Sequence, residues 1–159
     1  MAKATSVRPE GYHAITPQLV LDDAAQTIDW YKRALGAEEI GRSVGPDGKI
    51  MHAELKIGDS RFMANDAMMG ARSPKALGGS STALWVYVED CDAIFNRAIR
   101  EGATVQVPLA DHFWGDRGGS LVDPSGHTWW IATHKEDLTP DEIRRRADEF
   151  FKQTPQPTH

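Results

Sequence analysis

Val20-Leu21-Asp22-Asp23, the helical pattern that follows it and the closing Gly36-Ala37 make one passage of this chain; Tyr87-Val88-Glu89-Asp90 opens a second that closes at Gly102-Ala103. Asp23 and Asp90 stand 67 residues apart, and Gly36 and Gly102 stand 66 apart. Each passage ends an apolar run on an acidic pair, enters a segment of helical period and stops at Gly-Ala. Two copies at a nearly constant offset imply two equivalent modules, so a special position found in one can be located in the other.

Working outward, residues 1–10 read as a flexible lead-in and Tyr12 to Leu21 as a strand. Ala24, Ile28, Tyr31 and Leu35 fall on one stripe of a helix with Gly36 beyond its end. Short strands follow at Glu38–Val44, Ile50–Ile57 and Arg61–Asn65, parted by Gly45-Pro46-Asp47-Gly48 and Gly58-Asp59-Ser60. Module 1 therefore spans 11–67, and 68–81, rich in Gly and Pro, is a linker. Module 2, 82–134, repeats the order: strand Thr82–Val88, a helix carrying Cys91, Ile94, Phe95, Ala98 and Ile99, then strands near Thr104–Val107, Arg117–Val122 and His127–Thr133. A further helix over 135–152 opens with Thr139-Pro140-Asp141-Glu142, a capping box with Pro in the first turn, and 153–159 reads as a disordered tail. The apolar stripe Ile143, Ala147, Phe150 and Phe151 requires a docking surface, while Arg144-Arg145-Arg146 reads as a solvated face.

Composition narrows the function. The 159 residues are 40% hydrophobic and 26% charged, ordinary for a globular chain with one shared core. A net charge of −5 argues against nucleic acid or an anionic membrane as partner. No apolar run reaches the roughly 20 residues needed to span a bilayer, and the N-terminus lacks the apolar segment of a secretory signal. The single Cys91 forms no internal disulfide, which fits a cytoplasmic protein, and it reads as a small core residue.

Two βαβββ modules with these signatures resemble the vicinal oxygen chelate superfamily of glyoxalases, extradiol dioxygenases and fosfomycin- and bleomycin-resistance proteins. Ile28-Asp29-Trp30-Tyr31-Lys32-Arg33-Ala34-Leu35-Gly36-Ala37 and Asp123-Pro124-Ser125-Gly126-His127 carry the resemblance most specifically. Trp114-Gly115-Asp116-Arg117-Gly118-Gly119 and Ile131-Ala132-Thr133-His134 resemble the PhnB-like branch. The resemblance implies an α+β fold in which two modules build a curved sheet, with the C-terminal helix added, and it implies a homodimer. In its metal-dependent members four cavity positions hold a divalent ion. Counting places them at Thr16, Met63, Ala83 and Trp130, related pairwise by the same 67-residue offset. Ala83 and Trp130 offer no donor, Met63 is a soft thioether and Thr16 a weak neutral oxygen, so neither a metal nor another cofactor is expected.

Strand alternation assigns the cavity face instead. Gln18 comes from the first strand, His52 and Glu54 (with Lys56) from the third, and Trp85 (with Tyr87) from the first strand of module 2. Arg117, Gly119 and Leu121 are placed beside Trp130 and Ala132, and His112 and Trp114 come from the preceding loop. Three readings follow. The first is a metal-free small-molecule-binding protein with Trp85, Trp114 and Trp130 stacking a flat aromatic or antibiotic-like ligand and Arg117 holding an anionic group. The second is a lyase, isomerase or dioxygenase with a relocated metal set of His52, Glu54 and His112. The third is an interaction protein whose cavity is packed shut. His127, His13 and His134 read as structural or without a spacing signal, and no nucleophile elbow or phosphate loop is present.

Overall fold

The computed structural model describes residues 2–154. Its element order is β1 (Gln18–Leu21), α1 (Ala24–Leu35), β2 (Glu38–Val44), β3 (Ile50–Ile57), β4 (Ser60–Asp66), α2 (Pro74–Leu77), β5 (Ala83–Tyr87), α3 (Cys91–Arg100), β6 (Thr104–Asp111), β7 (Asp116–Val122), β8 (Thr128–His134) and α4 (Pro140–Gln153). The strands form two mixed sheets of like topology, β1-β4-β3-β2 and β5-β8-β7-β6. In each, the first strand of the module runs parallel to the last and the other pairings are antiparallel. This is the duplicated α+β architecture the sequence implied.

The duplication extends to single atoms. Asp23 and Asp90 accept from the backbone N–H of Gln26 and Ala93, capping α1 and α3. The first helical N–H of each is taken by a residue at the end of the last strand: Ala24 by Asp66 at 2.9 Å and Cys91 by Thr133 Oγ1 at 3.0 Å. All four pairs keep the 67-residue offset. Gly36, at φ 70°, ends α1 in the left-handed conformation that a side chain resists.

One core serves both modules. Tyr31, Ile28, Leu55 and Ala64 from module 1 and Phe95, Leu121, Trp129 and Ile131 from module 2 belong to a single buried cluster. Tyr31 packs on Phe62 and Trp129 at ring separations of 5.8 and 5.3 Å, and α1 lies against α3. Polar ties cross the same seam: Trp30 Nε1–H donates to Glu101 O at 2.9 Å, and Arg97 Nε to Ala34 O at 3.0 Å. Each sheet therefore spends its helix-bearing face on the shared core and leaves its other face outermost.

Several boundaries differ from expectation. β1 begins only at Gln18, because Pro17 has no N–H to give a ladder. β6 runs to Asp111 straight through Pro108; it is an edge strand, and its pairing with β7 shifts register between Val107 and Ala110, where a missing donor costs little. The linker holds a short helix, α2, capped by Ser73 with Pro74 in its first turn. The expected tail keeps Gln153 as the last residue of α4, and 155–159 lie outside the described residues. Cys91 is buried, as a core residue should be. Among the described residues no helix is long and apolar enough to cross a membrane.

Candidate functional site

The outer face of the second sheet carries an aromatic cluster built from strand register. Trp85 and Trp130 are direct partners across the parallel β5–β8 pair, and their rings stack at 4.7 Å with 4° between planes. Trp114, from the loop between β6 and β7, meets Trp85 at 6.3 Å and 63° and stacks on His112 at 4.2 Å and 9°. His112 in turn meets Trp130 edge-on at 5.7 Å. Its Nε2 lies 3.0 Å from the Gly118 carbonyl, which can only accept, so that nitrogen bears the hydrogen. Tyr87 continues the row beside Trp85 at 6.2 Å. Trp85 is 43% and Tyr87 61% exposed, large apolar groups left open to solvent.

Beneath this row lies Asp116, a carboxylate only 4% exposed. Oδ2 accepts from Tyr87 Oη at 3.0 Å and from Trp114 Nε1 at 3.2 Å, while Oδ1 faces His134 Nδ1 at 2.7 Å. Burial, and then the Asp116 bond, raise the Tyr87 phenol above its ordinary value, so it remains a donor at neutral pH. Asp116 and His134 stand in the two PhnB-like stretches, but nothing in the sequence marked the Asp116 carboxylate as a shared acceptor. Its partners come from β5, the loop after β6 and the end of β8, which no spacing connects.

The placement of Arg117, Gly119 and Leu121 on this face is corrected. Val122 pairs with Thr128 and Ser120 with Trp130, so residues of equal parity share a face across the β7–β8 hairpin. Arg117 pairs with Thr133 and turns to the helix side, where Nε and Nη2 each donate to Asp92 at 2.8 Å. Leu121 is fully buried opposite Trp129, and a Cβ at Gly119 would strike Phe95. The expected anion-holding Arg117 is thus a strut between β7 and α3, its charge met by Asp92 and Asp111.

The outer face of the first sheet is polar. Gln18 donates through Nε2 to Asn65 Oδ1 at 2.8 Å, and Gln18, Met63 and Glu54 occupy one rung. His52 Nε2 and Glu54 Oε1 stand 3.5 Å apart. Tyr12 is buried under Arg61, whose guanidinium carbon lies 5.4 Å from the ring centroid, and burial with the nearby Glu54 carboxylate raises its phenol. His112 belongs to the other sheet, so the relocated set His52, Glu54 and His112 is not brought together within one chain. Among the described residues no group of three or more His, Cys, Asp and Glu side chains is arranged to hold a metal ion. At the superfamily's own positions Thr16 lies ahead of β1, and the pairing sets Gln18 beside Met63 and Trp85 beside Trp130. Those four positions, in two separate sheets, offer an amide already engaged by Asn65, a thioether and two indoles, and Glu54 beside Met63 adds a single carboxylate, so these residues do not fit the superfamily's divalent ion.

The family described as Glyoxalase/Bleomycin resistance protein/Dioxygenase superfamily matches residues 12–131, more than half of the chain. An uncharacterized protein of Mycobacterium tuberculosis is 45% identical over 136 residues, covering 82% of this chain and 80% of its own. An uncharacterized protein of Arabidopsis thaliana is 31% identical over 135 residues, covering 77% and 80%. Among solved structures, TioX from Micromonospora sp. ML1 superposes with a TM-score of 0.62 at 28% identity, over 80% of this chain and all of that one. The PhnB protein from Bacillus cereus shares the fold at a TM-score of 0.59 and 19% identity, over 76% of this chain and 99% of that one. α4 lies beyond residues 12–131, which the family matches.

Proposed function

The chain belongs to the Glyoxalase/Bleomycin resistance protein/Dioxygenase superfamily, and on that premise we propose that it is a metal-free binding protein for a small molecule carrying a flat aromatic or antibiotic-like ring system. The observation that carries this reading is the stacked Trp85–Trp130 pair on an open sheet face, widened by Trp114, His112 and Tyr87. The two indoles touch each other, so no slot lies between them. The ligand stacks on the free side of Trp85 instead, gaining ring contact and desolvation together. The exposure of Trp85 and Tyr87 supports an open platform over a cavity packed shut. A second copy of the chain supplies the facing wall: the polar outer face of a partner's first module, with residues equivalent to Gln18, His52 and Glu54, set against the aromatic face. Such a wall adds the few hydrogen-bonding groups that fix a ligand's orientation.

Titration of the intrinsic Trp fluorescence with phenazine, a neutral planar probe, and a panel of larger planar ligands tests this reading. Quenching is expected in the native chain, with affinity about threefold to tenfold weaker in Trp85→Ala as the ring that the ligand stacks on goes. No quenching by any planar probe would sink it. Metal analysis of the purified protein gives the competing outcome: stoichiometric Zn²⁺, Ni²⁺, Mn²⁺ or Fe²⁺, lost in a His52→Ala, Glu54→Ala double mutant, would replace it with a metal-dependent enzyme.

A further inference from the structure

We infer that Asp116 is the positioning residue of the aromatic face, and that a proton on His134 holds both that face and the start of the C-terminal helix in place; this rests on reading the face as a ligand site. Asp116 gathers donors from three elements: Tyr87 Oη of β5, Trp114 Nε1 of the β6–β7 loop and His134 Nδ1 of β8. His134 is itself bridged, because Nε2 lies 2.9 Å from Asp137 Oδ1 in the segment leading to α4. Carboxylate oxygens only accept, so both contacts are bonds only when both ring nitrogens carry hydrogen, which is the imidazolium form.

The surroundings agree. The bond to Asp116 and then that to Asp137 raise His134 above its ordinary value, against a lesser opposing effect of burial. The other charged and titratable groups of this corner are Lys135 and Glu136 on the same segment and Asp111 and His112 at the end of β6. They line a recess of about 350 Å³ together with Asp116. Glu136 is held by Arg146 of α4 at 2.7 Å, and the N–H groups of Lys135 and Glu136 both donate to Gly115 O. Phe113 packs on Phe150 at 5.6 Å and on Trp114 at 5.0 Å, so α4 and the aromatic face share one loop.

The sign follows. With its folded-state value raised, His134 is charged and both bridges are complete below the ordinary histidine value of about 6.5. As pH rises through the raised value, the ring keeps one hydrogen. The bond to Asp137 fails, and Asp116 is left as a buried anion without a counter-charge. Tyr87 and Trp114 then bond a carboxylate whose charge is unmatched, and the segment before α4 loses its tie to β8 at Asp137.

Nitrogen-15 NMR of the full chain tests this without any ligand. The His134 ring nitrogens and the Trp114 indole N–H are expected to shift with one common midpoint above the ordinary histidine value, and the indole shift is expected to vanish in His134→Gln. A His134 midpoint at or below the ordinary value, or an indole indifferent to it, overturns the inference. Phenazine quenching gives the functional arm. Affinity is expected to fall about threefold to tenfold across the same midpoint in the native chain and to stay flat in His134→Gln; a flat native profile also overturns it. If phenazine binds at no pH, the ligand reading fails, and the indole titration still decides whether Asp116 positions the face.

Discussion

At the scale of single residues, buried carboxylates organise this protein, and Asp123 does so for the core as Asp116 does for the outer face. Asp123 Oδ2 accepts from Tyr31 Oη at 2.6 Å and Trp129 Nε1 at 2.9 Å, and Oδ1 accepts the N–H groups of Ser125 and His127 at 2.9 and 3.0 Å. Asp123→Ala strands two buried ring donors and unties the turn, an expected loss of about 4 kcal/mol in urea unfolding, with Asp123→Asn costing less. The same contact makes an alkaline prediction. Burial, then the Asp123 charge, push Tyr31 well above its ordinary value, so the folded chain keeps a proton that the unfolded chain gives up. Stability should be full below about pH 10 and fall as pH rises beyond it, and that slope should flatten in Tyr31→Phe. Asp123-Pro124-Ser125-Gly126, which carried the family resemblance between two expected strands, is the turn of the β7–β8 hairpin. The sequence could not announce Tyr31 as the partner, because that contact spans 92 residues and nothing local to the turn encodes it.

At the scale of elements, local chemistry was read well and register less well. The capping box that begins α4 is fully made: Thr139 Oγ1 accepts from Glu142 N at 3.3 Å, and Glu142 Oε2 accepts from Thr139 N at 2.8 Å. The stripe of that helix does find a surface, Phe113, though none of its residues becomes buried. β7 is where sequence reasoning slipped. Its Arg-Gly-Gly-Ser run has too few large apolar side chains to declare a face, and a slip of one residue exchanges the faces entirely. The two glycines are there because both sides are crowded: a Cβ on Gly118 would lie 2.6 Å from Ile131 O, and on Gly119 2.6 Å from Val107 O and 2.8 Å from Phe95 Cε2. Gly119→Ala should therefore cost about 1–3 kcal/mol by overpacking. Gly41→Ala, where nothing lies within 4 Å of the added carbon, should cost nothing and can gain a few tenths of a kcal/mol. Equal losses in thermal unfolding of the two variants would show that crowding does not explain the β7 glycines.

At the scale of the whole molecule, the duplication was legible because it is written in sequence, while the pairing of outer faces proposed above leaves no mark in the pattern of a single chain. β1 and β2 are the open edges of one sheet and β5 and β6 those of the other, and β5 bears the exposed Trp85 and Tyr87. Ile15, 88% exposed, stands just ahead of β1. A groove of about 810 Å³, lined by Ile15, Pro17 and Ile57 from module 1 and by Trp85, Tyr87 and Val88 from module 2, runs along the β5 side of the molecule. Open strand edges beside exposed indoles invite association, and natural proteins that keep such edges cover or pair them. A closed twofold pairing satisfies both modules at once, since the same surface is used from each side. Light scattering at the concentrations used for ligand titration should accordingly give twice the chain mass. The pairing should also be linked to binding, because a cleft walled by two chains exists only in the dimer. On dilution, phenazine affinity and dimer fraction should decline together, and a planar ligand added in excess should draw the mass back to that of two chains. A strictly monomeric mass with undiminished quenching would place the whole site on one chain and make the aromatic face of module 2 sufficient by itself.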